Sequence, residues 1–328
     1  NFNTVLYTGN ASTNAITGVG FSPDWVWVKN RARALDHRAY DSVRGVQKTL
    51  YPSAGYYENE GGDGTNGLTA FGTDGFTLGS HTGANYSSEA YVSWNWLAAT
   101  AFSNDASATS VGTIDSSGQV NATAGFSIIS YTGNATSGAT IAHGLSSAPQ
   151  MLIVKRRNAT NGWAVYHEAL GAGKEVYLNM TQAETSSNFW ITSPTSSVFS
   201  VSASDYVNTA HTYICYAFHS VEGYCKVGSF EGNNSSENFV HTGFRPSWLL
   251  LKNIDGSYNW MLIDSVREPF NDGAANAFLR PNITYQESTA GIIDIVSNGF
   301  VLRDNSSDTN AAATFIYLAF AEAPFKFA

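Results

Sequence analysis

The sequence predicts an all-β protein made of three tandem antiparallel β-sandwich repeats of the jelly-roll or concanavalin A-like kind. Three observations predict it: a block that recurs three times at fixed spacing, apolar runs too short for independent helices, and strands of period two that close each copy. The block opens at Pro23, Pro149 and Pro246, runs through WVWV, MLIV and WLLL to Lys29, Lys155 and Lys252, and ends at Asp41, His167 and Asp264. Eighteen residues separate the first and last positions in every copy, so no gap is needed.

Each copy reads as the same succession of elements. An entry strand ending in Gly-Asn is expected at 5–10, 128–134 and 227–233. The apolar run then forms a strand buried on both faces, with the Pro at its entry, where a missing N–H costs least. Lys29, Lys155 and Lys252 mark the points where these strands emerge toward water, their stems snorkelling. Polar loops carrying Asn, Asp and Gly turn the chain into a second strand at 37–40, 163–166 and 260–263, which completes a β-hairpin. A short strand follows at 74–78, 197–201 and 298–302, and a closing strand at 91–96, 213–218 and 315–320. In the closing strand Val92, Trp94 and Trp96 point one way and are matched by Ile214, Tyr216, Phe218 and by Ile316, Leu318, Phe320. One apolar face at period two is what half of a sandwich requires. The predicted repeat core is Trp25, Trp27, Met151, Ile153, Trp163, Trp248, Leu250 and Trp260.

The domain boundaries expected from this pattern are 1–99, 124–221 and 222–328, with a Ser/Ala/Thr-rich connector at 100–123 that has no counterpart elsewhere. The connector suits an extended segment lying on a neighbour as well as a loose linker, and some relative motion of the first repeat is expected. The join at 221–224 is too short for a linker, so the last two repeats should dock rigidly.

Charged residues make up only 13% of the chain, against roughly 25% in average soluble proteins. A polar but uncharged surface suits extracellular or particle-bound β proteins. The net charge of -9 argues against nucleic acid or an anionic membrane as partner. No apolar stretch approaches the roughly 20 residues of a membrane span, and residues 1–30 do not read as a signal peptide. Opening directly on an entry strand suggests a mature or trimmed end. Cys215 and Cys225 lack the paired His of a metal site. They could pair, but Ser93 and Tyr317 replace Cys215 in the other copies, which favours two free thiols. No cofactor is expected.

Catalytic patterns are absent: no nucleophile elbow, phosphate loop, His-Glu-x-x-His or EF-hand spacing occurs. Asp41-Ser42-Val43-Arg44 and Asp264-Ser265-Val266-Arg267 read as local Asp–Arg pairs at a turn, and His143 and His241 as structural. Carboxylate pairs for glycoside hydrolysis meet only in three dimensions, so sequence leaves them open. The expectation is a protein without enzymatic activity. The candidate ligand contacts lie where the copies differ: Tyr56, Tyr57 and Asp63 in a Gly-rich excursion at 51–67, and Trp190, found in one copy alone. The alternatives are a solvated loop for the excursion and a local plug for Trp190. Sequons such as Asn10, Asn134 and Asn282 are what an Asn- and Thr-rich chain produces by chance.

The stretches AGFSIISYTGN (124–134), HGLSSAPQMLIVKRRN (143–158), WAVYH (163–167), GFRPSWLLLKN (243–253) and YLAFAEAPFK (317–326) resemble tandem repeats in structural proteins of marine tailed phages. The resemblance covers nearly the whole chain and is weakest over 1–99, where His37 replaces Trp. It implies a concanavalin A-like or laminin-G-like sandwich in a tail fibre, head fibre or capsid decoration protein, located on the virion surface. Other virion proteins and host-surface carbohydrate are the implied partners. A homotrimer is an implied assembly, although three domains in one chain could supply that symmetry alone. The resemblance carries over no catalytic motif. A polysaccharide-degrading enzyme on the same scaffold and a purely architectural spacer are the competing readings.

Overall fold

The runs apolar at every position become strands with no solvent-facing side. In a computed structural model, Trp25–Asn30, Met151–Arg156 and Pro246–Asn253 are buried from end to end. The structure describes residues 1–60, 65–267, 269, 271 and 276–323; Asp63 of the excursion and the 324–326 end of the last quoted stretch lie outside the described residues. Each buried strand pairs antiparallel with a return strand on one side and a closing strand on the other, and an entry strand lies beyond the closing strand. In the first sheet the order is Phe2–Thr8, Ala90–Trp96, Trp25–Asn30, Arg38–Asp41. In the second, Phe126–Thr132, Thr212–Phe218, Met151–Arg156 and Trp163–His167 stand in that order, and in the third Cys225–Glu231, Thr314–Ala321, Pro246–Asn253 and Trp260–Asp264 do. The register agrees as well: Trp25 lies opposite Asp41 and Trp96, Met151 opposite His167 and Phe218, Trp248 opposite Asp264 and Phe320.

Smaller antiparallel sheets cover one face of each. They pair Asn14–Thr17 with Gly75–Leu78, Ala139–Ala142 with Val198–Val201, and Asn238–His241 with Gly299–Leu302. Between the layers sit separate apolar cores, such as Val26, Val28 and Tyr91 against Ile16, Phe76 and Leu78 in the first. The other two follow the same alternation, with Leu152 and Val154 against Phe199, and Leu249 and Leu251 against Phe300.

The opposite face corrects the expectation that one apolar face is enough. Trp25, Trp27, Trp94, Trp96, Met151, Ile153, Trp163, Tyr216, Trp248, Leu250, Trp260 and Leu318 from all three large sheets form one continuous buried cluster. Rings of different sheets meet directly: Trp25 and Tyr216 stack at 4.4 Å, Phe2 and Phe320 at 5.0 Å, and Trp96 meets Trp248 edge-on at 5.5 Å. A strand that packs on a covering sheet behind and on two other sheets in front must be apolar at every position. That is why the recurrent runs do not alternate.

The shared cluster also corrects the expected motion of residues 1–99, because Phe2, Trp25 and Trp96 are part of it. The stretch at 100–123 is no loose linker. Thr100–Asn104 and Ser116–Asn121 form a hairpin that pairs along Phe126–Thr132 and extends the second sheet. Between them a single helical turn, Ala106–Thr109, is capped by the Asp105 carboxylate.

Candidate binding surface

The three sheets are joined by seams of backbone hydrogen bonds, ion pairs and indole N–H contacts. Glu58 N–H donates to the Arg157 carbonyl at 2.8 Å, Glu184 N–H to Ile254 at 2.8 Å, and Glu287 N–H to Arg31 at 2.9 Å, so each sheet's loop grips the hairpin of the next around a closed ring. Ion pairs reinforce two seams. The Glu58 carboxylate lies between Arg44 at 3.2 Å and Arg157 at 3.0 Å, and Glu287 between Arg267 at 3.1 Å and Arg31 at 2.7 Å. Burial works against the Glu58 charge, but Arg157 and Arg44 more than offset it and hold its carboxyl below the usual range. Indole N–H groups cross two seams, Trp163 Nε1 donating to Tyr51 O at 2.8 Å and Trp260 Nε1 to Tyr177 O at 2.9 Å. His37, at the matching place, has the Arg280 backbone beside its ring.

The lysines overturn the snorkelling expectation. Lys29, Lys155 and Lys252 are fully buried. Lys155 Nζ donates to the carbonyls of Arg156 at 2.9 Å, Asn161 at 2.9 Å and, across a seam, Gly55 at 3.2 Å. Lys252 reaches Thr181 across the next seam at 3.2 Å, and Lys29 ties Asn30 and Arg33 within its own loop at 2.8 and 3.0 Å. Desolvation lowers the pKa of Lys29 and Lys155 to about 7 and that of Lys252 to about 8. Nearby carboxylates pull the other way, Asp36 and Glu287 for Lys29, Glu60 for Lys155 and Asp308 for Lys252. These ammonium groups gather hairpin-loop carbonyls where the strands end.

The excursion at 51–67 divides in two. Tyr51, Ala54, Gly55 and Glu58 are seam contacts, while Tyr56 and Tyr57 stand out at 43% and 42% exposure, Tyr56 edge-on to Tyr51 at 5.5 Å. Trp190 is corrected as a ligand platform. It is buried in the second sandwich's own core, edge-on to Tyr166 at 5.8 Å, which is the plug alternative. Sequence reasoning also missed three buried asparagines. Asn85, Asn208 and Asn310 each accept the backbone N–H of the Asn in an entry strand's Gly-Asn turn, at 2.8, 2.8 and 3.1 Å. Their signal was a single Asn a few residues before each closing strand, too weak to stand out in an Asn-rich chain.

The hairpin at 100–121 contributes an open depression of about 580 Å³, lined by Asp105, Asp115, Ser117, Ser130, Thr132 and Asn134 among others. Asp105 caps its turn through Ser107 N–H at 3.0 Å, and Asp115 accepts Ala106 N–H at 2.9 Å, so both carboxylates hold backbone. What the depression offers a ligand is hydroxyl and amide hydrogen bonding. Cys215 and Cys225 are buried free thiols, and burial pushes Cys225 up to about 12 and Cys215 beyond it, so neither is a ready nucleophile. Among the described residues no three His, Cys, Asp or Glu side chains are grouped to hold a metal ion, and no helix is long and apolar enough to cross a membrane.

One family model matches residues 1–324, a span that takes in all three large sheets and the cluster between them. The chain belongs to the DUF7483 family. That family is described as a domain of unknown function. No curated protein and no solved structure matches the chain.

Proposed function

We propose that this chain is a non-enzymatic structural module of a phage virion, a surface-exposed fibre or capsid decoration protein that attaches to host-surface glycans or to the particle. On this reading it is three tandem β-sandwich repeats folded around one axis, a single-chain equivalent of a homotrimer. The observation that carries the reading is the closed ring of seams, in which Glu58, Glu184 and Glu287 bond to the hairpins at Arg157, Ile254 and Arg31 in turn. A ring whose three sheets belong to one chain and which is closed by the seam between Glu287 and Arg31 suits a rigid head at a threefold position, where a fibre or capsid protein must present loops outward and hold its shape. The low charge and the uncharged polar loops accord with that setting.

Two measurements test it. Mass spectrometry of purified particles from a genome that encodes the chain should find it at the level of a structural protein; its absence from particles overturns the proposal. Light scattering of the purified chain should give the mass of one 35.2 kDa chain. A stable trimer would remove the single-chain part of the reading.

A further inference from the structure

Nine large hydrophobic side chains are markedly exposed among the described residues, and the five tyrosines in that set share one end of the molecule. Strand direction fixes this end. The hairpin loops at 31–37, 157–162 and 254–259 leave the buried strands there, and the register of Asn30 opposite Tyr91 brings the 80–89 loop to the same level. Leu50 opposite Ala39 and Leu279 opposite Leu262 direct the 51–60 and 280–287 segments there too. Tyr56, Tyr57, Tyr86, Tyr258 and Tyr285 all lie on these loops, with Tyr285 the most open at 62%. The other four, Leu6, Val46, Phe239 and Val266, lie on strands or on turns at the opposite end.

The arginines at the same end are paired. Arg31 pairs with Glu287 at 2.7 Å, Arg33 with Glu89 at 2.7 Å, Arg157 with Glu58 at 3.0 Å and Arg156 with Asp205 at 3.2 Å. The guanidinium of Arg33 also lies 4.3 Å from the Tyr86 ring centroid. A surface of amphipathic rings separated by Asn, Ser and Thr loops, with its arginines already paired to carboxylates, offers stacking faces and neutral hydrogen bonds. It offers a polyanion no free positive field.

We infer that this tyrosine-bearing end is a carbohydrate-binding surface, with Tyr56 and Tyr57 on one side and Tyr258 and Tyr285 on the other stacking on sugar rings of a neutral glycan. The inference rests on the attachment reading above and assigns it to one end of the ring. Rings on loops of two different sheets suit an extended polysaccharide held at several points better than a monosaccharide in a pocket. Their positions on the seams keep the stacking faces in place before binding.

The full chain is applied to an array of neutral and acidic bacterial oligosaccharides and lipopolysaccharides, and the strongest binder is titrated calorimetrically. Binding to a neutral glycan that weakens at least tenfold in Y258A/Y285A and in Y56A/Y57A is the expected result. Y258F/Y285F should stay within about threefold of the parent, since the stacking face is kept. Phe239→Ala is the control with unchanged binding, and matching thermal melts show that each variant is folded. Glycan binding that the tyrosine variants leave intact overturns this surface while the attachment proposal stands. An absence of binding across the array overturns the carbohydrate assignment altogether, as does a virion protein captured through the same tyrosines without any glycan. Detection in purified particles is independent of all three outcomes.

Discussion

Asp41, His167 and Asp264 lie at the same register in the three large sheets, opposite Trp25, Met151 and Trp248, and their partners differ with them. Tyr216 OH, from the second sheet, donates to Asp41 Oδ2 at 2.7 Å, and Trp94 Nε1, from the first, donates to Asp264 Oδ2 at 2.9 Å. The third closing strand has Leu318 at that place, which offers no donor, and there the acid is replaced by His167, buried with its pKa lowered to about 4 by desolvation. Three residues on, Arg44 and Arg267 bind the aspartates, whereas Leu170 follows the histidine. Removing an aspartate leaves a buried guanidinium short of its nearest counter-charge, so Asp264→Ala is expected to cost about 3 kcal/mol, read as a lower urea midpoint at unchanged slope. His167→Asp places the same acid at this register in all three sheets and is expected to destabilise by a similar amount, about 3 kcal/mol, because no arginine follows at position 170 and only the Ala169 N–H, 3.1 Å from the His167 Nδ1, donates to the side chain there. A neutral result for His167→Asp would break the matching argument. The buried lysines add a pH dependence. Their folded pKa lies below the unfolded one, so the unfolded chain binds more protons between about pH 7 and pH 10. Stability should therefore rise with pH through that window and be lost again as pH falls back toward 7, by up to about 1.4 kcal/mol per pH unit for each lysine. Equilibrium unfolding from pH 6.5 to 9.5 checks this, and Lys155→Met should flatten the slope.

At the scale of elements, the three entry strands are alike in register and differ in what covers their outer edge. Phe126–Thr132 is paired along its length by Ser116–Asn121, while Cys225–Glu231 is met at its start by Ser220 and Val221, with Val221 N–H bonding Cys225 O at 3.0 Å. Gly118 lets the covering strand approach, since a Cβ there would sit 1.8 Å from the Ile128 carbonyl oxygen. Gly118→Ala is expected to loosen this pairing alone. Hydrogen exchange should speed up at the Phe126, Ile128 and Ser130 amides, with the urea midpoint moving less than for Asp264→Ala. Unchanged exchange at those amides would show that the hairpin does not protect that edge. These elements also show what a sequence can carry. The recurrent hairpins and closing strands were legible because apolar runs and period two are strong signals, and their boundaries fall within a few residues of expectation. Of the four-residue covering strands, Gly75–Leu78, Val198–Val201 and Gly299–Leu302 were expected from their recurrence, whereas their partners Asn14–Thr17, Ala139–Ala142 and Asn238–His241 were not, because so short a segment has no period to read. Trp190 and the lysines were misread for a related reason: residue type reports a preference for water or apolar surroundings, while burial depends on which other segment arrives. Tyr56 and Tyr57 were legible as exposed aromatics, but Tyr258 and Tyr285 join them only once strand direction brings four loops to one end.

At the scale of the whole molecule, the decisive feature is that one face of every large sheet is buried by the other two. Three independent sandwiches on a string would melt separately and could each be excised intact. Here an excised 124–221 segment would uncover Ile128, Met151, Ile153, Trp163, Tyr216 and Phe218, all of them now in the shared cluster. A patch of that kind exceeds what a soluble monomer normally exposes. The isolated segment should therefore aggregate, self-associate or stay unfolded, as judged by light scattering and circular dichroism. The full chain should unfold in one step. Tryptophan fluorescence is a direct reporter of the cluster, since Trp190 alone among the eight tryptophans lies elsewhere, and far-UV circular dichroism reports all the sheets. The two probes should give coincident urea transitions. Transitions that separate, or a monomeric 124–221 segment as stable as the full chain, would mean that the sheets hold themselves together and the common cluster merely fills the space between them.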